Sequence, residues 1–261
     1  MLVGVTGANG VLGKIITEKL SALGYEYVPF SGDIRNINDV ANWVDNNNFD
    51  SVIHLAAIVP PSEVKNDLIK AFEVNCIGTK NLVDALNAKS QKPWLFYAST
   101  CHVYKSSNKP LSEDDPIEPI SEYGLTKYAG EVLIRKNYDN ACIGRIFSIY
   151  HKTQKPPFLY PTMLQRLQNE DLTKEFELYG AESIRDFSNA EDVADIIIKL
   201  MERKVVGTYN IASGNGVKIR DFVQSLTDIP LKIKDMGGQD TLVADVSKLN
   251  KLLNNEKEEH K

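Results

Sequence analysis

Cysteine is scarce in this chain, three residues in 261, and Cys76, Cys101 and Cys142 stand far apart with no C-x-x-C pair. That excludes a disulfide framework and a thiolate zinc site of the usual spacing, and it suits a reducing compartment. The four histidines, His54, His102, His151 and His260, also lack ligand spacing, so no resident metal is expected. No apolar run reaches the ~18–20 residues of a membrane span. The opening Met1-Leu2-Val3-Gly4-Val5 has no basic segment ahead of a long apolar stretch, so neither an anchor nor a secretory leader is expected and a cytoplasmic location is. Basic charge is short as well: 30 Lys+Arg against 35 Asp+Glu leave a net charge of −5. Without a global basic field a nucleic acid is not an expected partner, although a few local donors can still bind a small anion. What is there, 43% apolar and 25% charged residues, places the chain among globular proteins and not among disordered or fibrous ones.

Strand-like runs lie at Leu2–Thr6, Glu26–Phe30, Ser51–Leu55, Trp94–Ala98 and Ala141–Ile146. Helical periodicity runs through Ile15, Ile16, Leu20 and Leu23, then over Val40–Val44, Lys70–Ala88 and Ser121–Lys136. This alternation predicts βαβ units, hence an α/β fold with a doubly wound parallel sheet covered on both faces by crossover helices. After Tyr150 the rhythm changes. Pro156, Pro157 and Pro161 argue for a loop or a helix start and against another crossover strand. A helix at Ala190–Arg203, a strand at Thr208–Ile211 and a helix at Lys218–Leu226 opened by Asn215-Gly216 follow.

Thr6-Gly7-Ala8-Asn9-Gly10-Val11-Leu12-Gly13 places three glycines three residues apart between the first strand and the first helix. The first glycine permits a tight turn, the second lets a pyrophosphate approach the backbone, and the third lets helix pack close to sheet. The helix start then offers free N–H groups and a partial positive charge. An acidic side chain at the tip of the second strand would bind a ribose 2′-hydroxyl, whereas a basic one would accept a 2′-phosphate. Here the tip reads Phe30-Ser31-Gly32, with Asp33-Ile34-Arg35 only afterwards. Ser31 and Arg35 could serve a 2′-phosphate, so NADP is favoured over NAD, which stays possible; Asp33 is placed near the adenine or, more plainly, in a turn.

Tyr123-Gly124-Leu125-Thr126-Lys127 puts a phenol and an ammonium four residues apart, on one face of a helix start. A phenol titrates near 10, so proton transfer at neutral pH calls for a nearby cation, which Lys127 would supply. Upstream, Leu95-Phe96-Tyr97-Ala98-Ser99-Thr100 runs out into a hydroxyl-bearing turn at a strand's carboxyl end, where open α/β sheets bind their ligands. Together these elements point to hydride transfer.

The chain resembles the extended short-chain dehydrogenase/reductases of the nucleotide-sugar epimerase/dehydratase type. The likeness runs from Gly7-Ala8-Asn9-Gly10 through Gly32-Asp33-Ile34-Arg35-Asn36, His54-Leu55-Ala56-Ala57, Val74-Asn75-Cys76-Ile77-Gly78-Thr79 and the Tyr123–Lys127 segment. Arg185-Asp186-Phe187, Asp192-Val193-Ala194 and Tyr209-Asn210-Ile211-Ala212-Ser213-Gly214 carry it further. The resemblance implies a Rossmann dinucleotide-binding domain over 1–150, a small substrate-binding lobe over 151–253 interleaved with the core, and a frayed tail over 254–261. It implies that Thr100, Tyr123 and Lys127 are catalytic, with Lys127 also binding the cofactor ribose and lowering the phenol's pKa. Gly7, Asn9, Gly10, Val11, Leu12 and Gly13 would hold the pyrophosphate, Asp33 and Ile34 the adenine, and Leu55, Ala56 and Ala57 the adenosine ribose side. Asn75 is expected beside the cofactor. Cys101, His102, Ser148 and Arg185 are expected with Thr100 at the substrate, Arg185 as a diphosphate clamp or, more plainly, in a surface ion pair with Asp186 or Glu182. A homodimer through the helices at Lys70–Ala88 and Ser121–Lys136 is expected by analogy.

Members that eliminate water carry an acid pair directly after the catalytic threonine; here those positions are Cys101 and His102. Members that epimerise carbons beside the ketone pair a cysteine two residues after the catalytic serine with a later histidine. Here that cysteine position is His102, and the second aligns near Phe158. Two reactions remain: reduction of a nucleotide-linked 4-keto-sugar, which the missing carboxylate at the second strand's tip favours, and 4-epimerisation with tightly bound NAD. A third reading, a non-catalytic sensor or scaffold, sits poorly with the joint presence of Thr100, Tyr123 and Lys127.

Overall fold

A computed structural model of the chain describes residues 1–254. The chain runs β1 (Leu2–Thr6), α1 (Val11–Ala22), β2 (Glu26–Pro29), α2 (Ile37–Asp45), β3 (Ser51–His54), α3 (Pro61–Asn66), α4 (Leu68–Phe72), a π-helical turn (Glu73–Ile77), α5 (Gly78–Asn87) and β4 (Trp94–Thr100). It continues through a 3₁₀ turn (Cys101–Val103), α6 (Glu122–Asn137), β5 (Ala141–Ile146), β6 (Ser148–Tyr150), α7 (Leu159–Asn169), β7 (Glu175–Leu178), β8 (Ile184–Asn189) and α8 (Ala190–Glu202). β9 (Gly207–Ile211), β10 (Gly216–Lys218), α9 (Ile219–Gln224), β11 (Lys232–Asp235), β12 (Thr241–Leu242) and α10 (Ser247–Asn254) complete it.

The main sheet has six parallel strands in the order β2-β1-β3-β4-β5-β9. Because the chain steps from β1 out to β2 and then back past β1 to β3, a crevice opens over the carboxyl ends of β1 and β3. The period of two along β4 sends Trp94 and Phe96 to one face and Leu95 and Tyr97 to the other. The first face buries Val3, Ile16 and Leu20 against Ala194, Ile197 and Met201 of α8; the second buries Val52 against Val40, Leu82 and Ile134. Strands covered on both faces need no polar alternation, which is why their sequences read as continuous apolar runs.

The expected α/β fold with its doubly wound parallel sheet is present. The segment after Tyr150 contributes both β9 and α8 to this main body. It also forms a small sheet in which β8 pairs with β10, β12 and β6, and a separate β7–β11 pair. The predicted helix over Lys70–Ala88 begins earlier, at Leu68, and is interrupted by the π turn. Asn215-Gly216 leads into β10 and not directly into a helix. Past the proline cluster, α7 carries Pro161 in its first turn, where a missing N–H costs no helical hydrogen bond. Of the tail predicted over 254–261, Asn254 closes α10, and 255–261 lie outside the described residues.

Candidate active site

At the first crossover, Gly7 adopts φ 72°, and a Cβ there would sit 2.7 Å from the Ala56 nitrogen. A Cβ on Gly13 would overlap the Gly7 carbonyl oxygen, so α1 packs against the turn through a glycine contact. Gly10 is the N-cap of α1, with no side chain capping the helix and no acidic residue in its first turn. The helix therefore starts with unsatisfied N–H groups beside exposed Asn9 and half-buried Val11 and Leu12. This cradle, which side chains would fill, fits a pyrophosphate.

Next to Gly7 lies an open groove of about 600 Å³ whose walls include Ser31, Gly32, Asp33, Ile34, Arg35, Ala56 and Lys70. One wall is fixed by a buried relay. Thr79 Oγ1 donates to the Asn75 carbonyl (2.8 Å), so toward His54 Nε2 (3.0 Å) it must accept. That leaves His54 Nδ1 to accept from Thr6 Oγ1 (2.6 Å), and the Thr6 oxygen in turn accepts from the Leu55 and Ala56 nitrogens (3.2 and 3.1 Å). Burial, with the Lys127 charge nearby, pushes His54 down to about 3, so the imidazole stays neutral and holds Leu55–Ala57 in place.

Asn75, fully buried on the π turn, uses its polar atoms on the protein: Nδ2 donates to the Ile58 carbonyl and to Thr126 Oγ1 (2.9 Å each), and Oδ1 accepts from the Ile58 nitrogen (2.8 Å). It ties the loop after β3 to the π turn and to α6. Arg35 is held by Asp33 (2.7 Å) and Glu73 (3.3 Å), an arrangement that also pulls Asp33 down to about 2. Ile34 packs its side chain under the groove, against α2 and α5.

At the carboxyl end of β4, Thr100 Oγ1 accepts from the His102 nitrogen (3.2 Å) and starts the 3₁₀ turn. The N-cap of α6 is Ser121, whose Oγ accepts from the Gly124 nitrogen and contacts His102 Nδ1 (3.1 Å each). A Cβ on Gly124 would overlap the His102 carbonyl oxygen, so glycine here lets the helix start abut that turn. Tyr123 and Thr100 are thereby brought together with His102, whose ring lies 5.9 Å from that of Tyr123. Burial pushes the Tyr123 phenol well above its ordinary value, partly offset by a hydrogen bond with Thr100. Burial also brings the Lys127 ammonium down to about 7, despite Glu131 on the next turn, and its Nζ lies 4.1 Å from the Tyr97 ring centroid. Burial likewise pushes the Cys101 thiol up to about 12 and His102 down to about 4, the latter helped by the Arg185 charge. At neutral pH the site thus holds a protonated phenol, a neutral thiol and a neutral imidazole.

Arg185 on β8 reaches this cluster. Its partner is Asp240 (2.6 Å), and it also donates to the carbonyls of Ile184 and Asp240 (3.1 and 3.2 Å). Neither Asp186 nor Glu182 is that partner. Asp186 is buried and accepts from the Ser213 and Gly214 nitrogens (2.9 Å each), fixing the loop after β9, while Glu182 pairs with Lys218 and Arg220. Ser148 lies two residues beyond β5, in register with Phe187. Sequence reasoning misses Asp240, which no motif marks. It also misses Glu131, for which a signal exists, since this residue continues the i, i+4 ladder from Tyr123 through Lys127. Its buried carboxylate binds Ser99, Arg135 (2.8 Å) and Arg145 (3.0 Å). Among the described residues no group of three or more His, Cys, Asp or Glu could hold a metal ion.

The family model described as "NAD dependent epimerase/dehydratase family" matches residues 3–212. The chain belongs to that family. It is 28% identical over 240 residues to GDP-6-deoxy-D-talose 4-dehydrogenase of Aggregatibacter actinomycetemcomitans, covering 87% of this chain and 79% of the relative. With GDP-6-deoxy-D-mannose reductase of Pseudomonas aeruginosa it shares 27% over 242 residues, 86% and 79% of the two chains. Among solved structures it is similar to dTDP-4-dehydrorhamnose reductase of Bacillus anthracis in complex with NADP, with TM-score 0.84, 25% identity, and coverage of 95% and 92%. A nicotinamide dinucleotide is therefore the cofactor class, and relatives of this chain act on nucleotide sugars. No described helix is long and apolar enough to cross a membrane.

Proposed function

We propose that this family member is an NAD(P)H-dependent reductase of a nucleotide-linked 4-keto-sugar, of the kind used for surface-polysaccharide precursors. The observation that carries the reading is the protonated Tyr123 phenol beside Thr100 at the end of β4, with no carboxylate following that threonine. A reduction needs one proton delivered to one oxygen. An elimination or a side-carbon epimerisation needs a base as well, and Cys101 at about 12 and His102 at about 4 are poor ones.

A bound dihydronicotinamide supplies the hydride. Tyr123 gives its phenolic proton to the oxygen of the former C4 carbonyl while the Thr100 hydroxyl donates a hydrogen bond to the same oxygen. The Lys127 ammonium, brought down by burial to about 7, steadies the phenolate left behind. Arg185 is assigned to the substrate diphosphate, for which a guanidinium edge is suited once the diphosphate displaces the single Asp240 carboxylate oxygen that holds it. A cytoplasmic homodimer is part of this reading: the α4–α5 helix and α6 leave Leu68, Ile69, Ile77 and Leu125 exposed, and a second copy would cover them.

Replacing Tyr123 with Phe removes the proton donor without altering the glycine cradle. Turnover of nucleotide-linked 4-keto-sugars should fall about 10²–10⁴-fold, with dinucleotide affinity kept; unchanged turnover would overturn the assignment.

A further inference from the structure

An NAD(P)H-dependent reductase must recognise the adenosine end of its dinucleotide, and the role assigned to that end of the groove rests on the reductase reading. A 2′-phosphate carries close to two negative charges and calls for a cation that is not already committed. The groove beside Gly7 presents two cations, Arg35 and Lys70. Arg35 is committed: its Nε and Nη2 both bond the Asp33 carboxylate, and its Nη1 bonds Glu73. Lys70, on α4, lines the same groove as Ser31 and Gly32, is exposed and forms no ion pair among the described residues, its charge acting only at longer range on Asp33. Its four-carbon stem lets the ammonium follow a phosphate placed against the β2 tip, where Ser31 adds a hydroxyl and the Asp39 carboxylate, packed beside Gly32 and accepting from the Asp33 nitrogen (3.0 Å), leaves Lys70 to supply the balancing charge.

We propose that Lys70, and not Arg35, is the residue that recognises the 2′-phosphate, so that Lys70 with Ser31 gives the protein its preference for NADPH over NADH. The acidic neighbours sharpen this. Asp33, Glu63 and Glu73 outnumber Arg35 and Lys70 around the groove and the adjoining hollow, so the preference hangs on one side chain. It should also weaken with salt, because Lys70 is exposed and the Debye length shrinks from about 10 Å at 0.1 M to about 3 Å at 1 M.

The test is a fluorescence titration of the full chain with NADPH and with NADH, without sugar. Wild type should bind NADPH more tightly, and Lys70→Ala should weaken NADPH by about tenfold, the worth of one charge-assisted contact, while NADH changes little. Arg35→Gln should move both affinities alike and leave their ratio intact. A ratio unchanged in Lys70→Ala, or one that collapses in Arg35→Gln instead, overturns the assignment to Lys70. Failure of wild type to bind either dinucleotide would instead overturn the reductase reading, so the two failures are distinguishable.

Discussion

Lys127 is fully buried, 4.1 Å from the Tyr97 ring centroid and one helical turn from Glu131, and its position is costly. Its pKa falls from 10.5 in the ordinary state to about 7 in the fold. Between those values the unfolded chain holds a proton that the native protein has released, so the contribution of Lys127 to stability rises with pH across that window and is smallest below pH 7. Urea unfolding of wild type and Lys127→Met at pH 7 and pH 9.5 should show about 2–3 kcal/mol more gain with pH in wild type. Equal gains in both would refute the burial argument. The i, i+4 spacing of Tyr123 and Lys127 was legible in the sequence, but the sign of the phenol's shift was not. Spacing specifies which groups share a face; burial specifies which way they titrate, and it depends on Tyr97, Cys101 and Arg185 from other strands and loops.

At the scale of elements, the π turn at Glu73–Ile77 matters most. One extra residue in the helical ladder, of the kind often found at functional sites, lets Asn75 bond both the loop after β3 and Thr126 on α6. Asn75→Ala would leave the Ile58 amide and carbonyl without these partners. It should cost about 1–3 kcal/mol in thermal or urea unfolding and loosen the groove wall. A variant as stable as wild type would show that Asn75 positions nothing. The strands of the main sheet were readable because burial on both faces leaves apolar runs bounded by glycine or polar turns. β7 and β11 were not: Glu175-Phe176-Glu177-Leu178 and Lys232-Ile233-Lys234-Asp235 are short, charged and paired only with each other. The π turn was invisible as well, since an inserted residue leaves helical composition unchanged.

Across the whole molecule, a buried polar chain joins α6 to the last strand of the main sheet. Glu131 on α6 binds Arg145 on β5, Arg145 donates to the Tyr104 hydroxyl (2.8 Å), and Tyr104 donates to Asn210 on β9 (2.7 Å). Asn210 then donates to the carbonyls of Leu111 (2.7 Å) and Asp245 (3.2 Å). Removing one member strands a buried charge, so Glu131→Ala should destabilise the protein by about 3–5 kcal/mol in equilibrium unfolding. A loss below about 1 kcal/mol would mean that solvent reaches Arg145. The site is assembled on the same scale: Thr100 and Tyr123 come from the main sheet and its helix, Arg185 and Asp240 from the small sheet and its loop. Arg185 was legible because it sits in a recognisable triplet, whereas Asp240 is 55 residues away in sequence and only tertiary structure brings the two together.

A 4-keto-reductase makes a net, one-way hydride transfer to C4 of its nucleotide-linked sugar. Incubating the protein with nucleotide-linked 4-keto-sugars and a dihydronicotinamide dinucleotide deuterated on its transferable position reads that transfer out. One cofactor should be oxidised per sugar consumed, with deuterium on C4 of the product. An isomerised sugar with no net cofactor oxidation, or a product carrying no label at C4, would contradict the reductase reading.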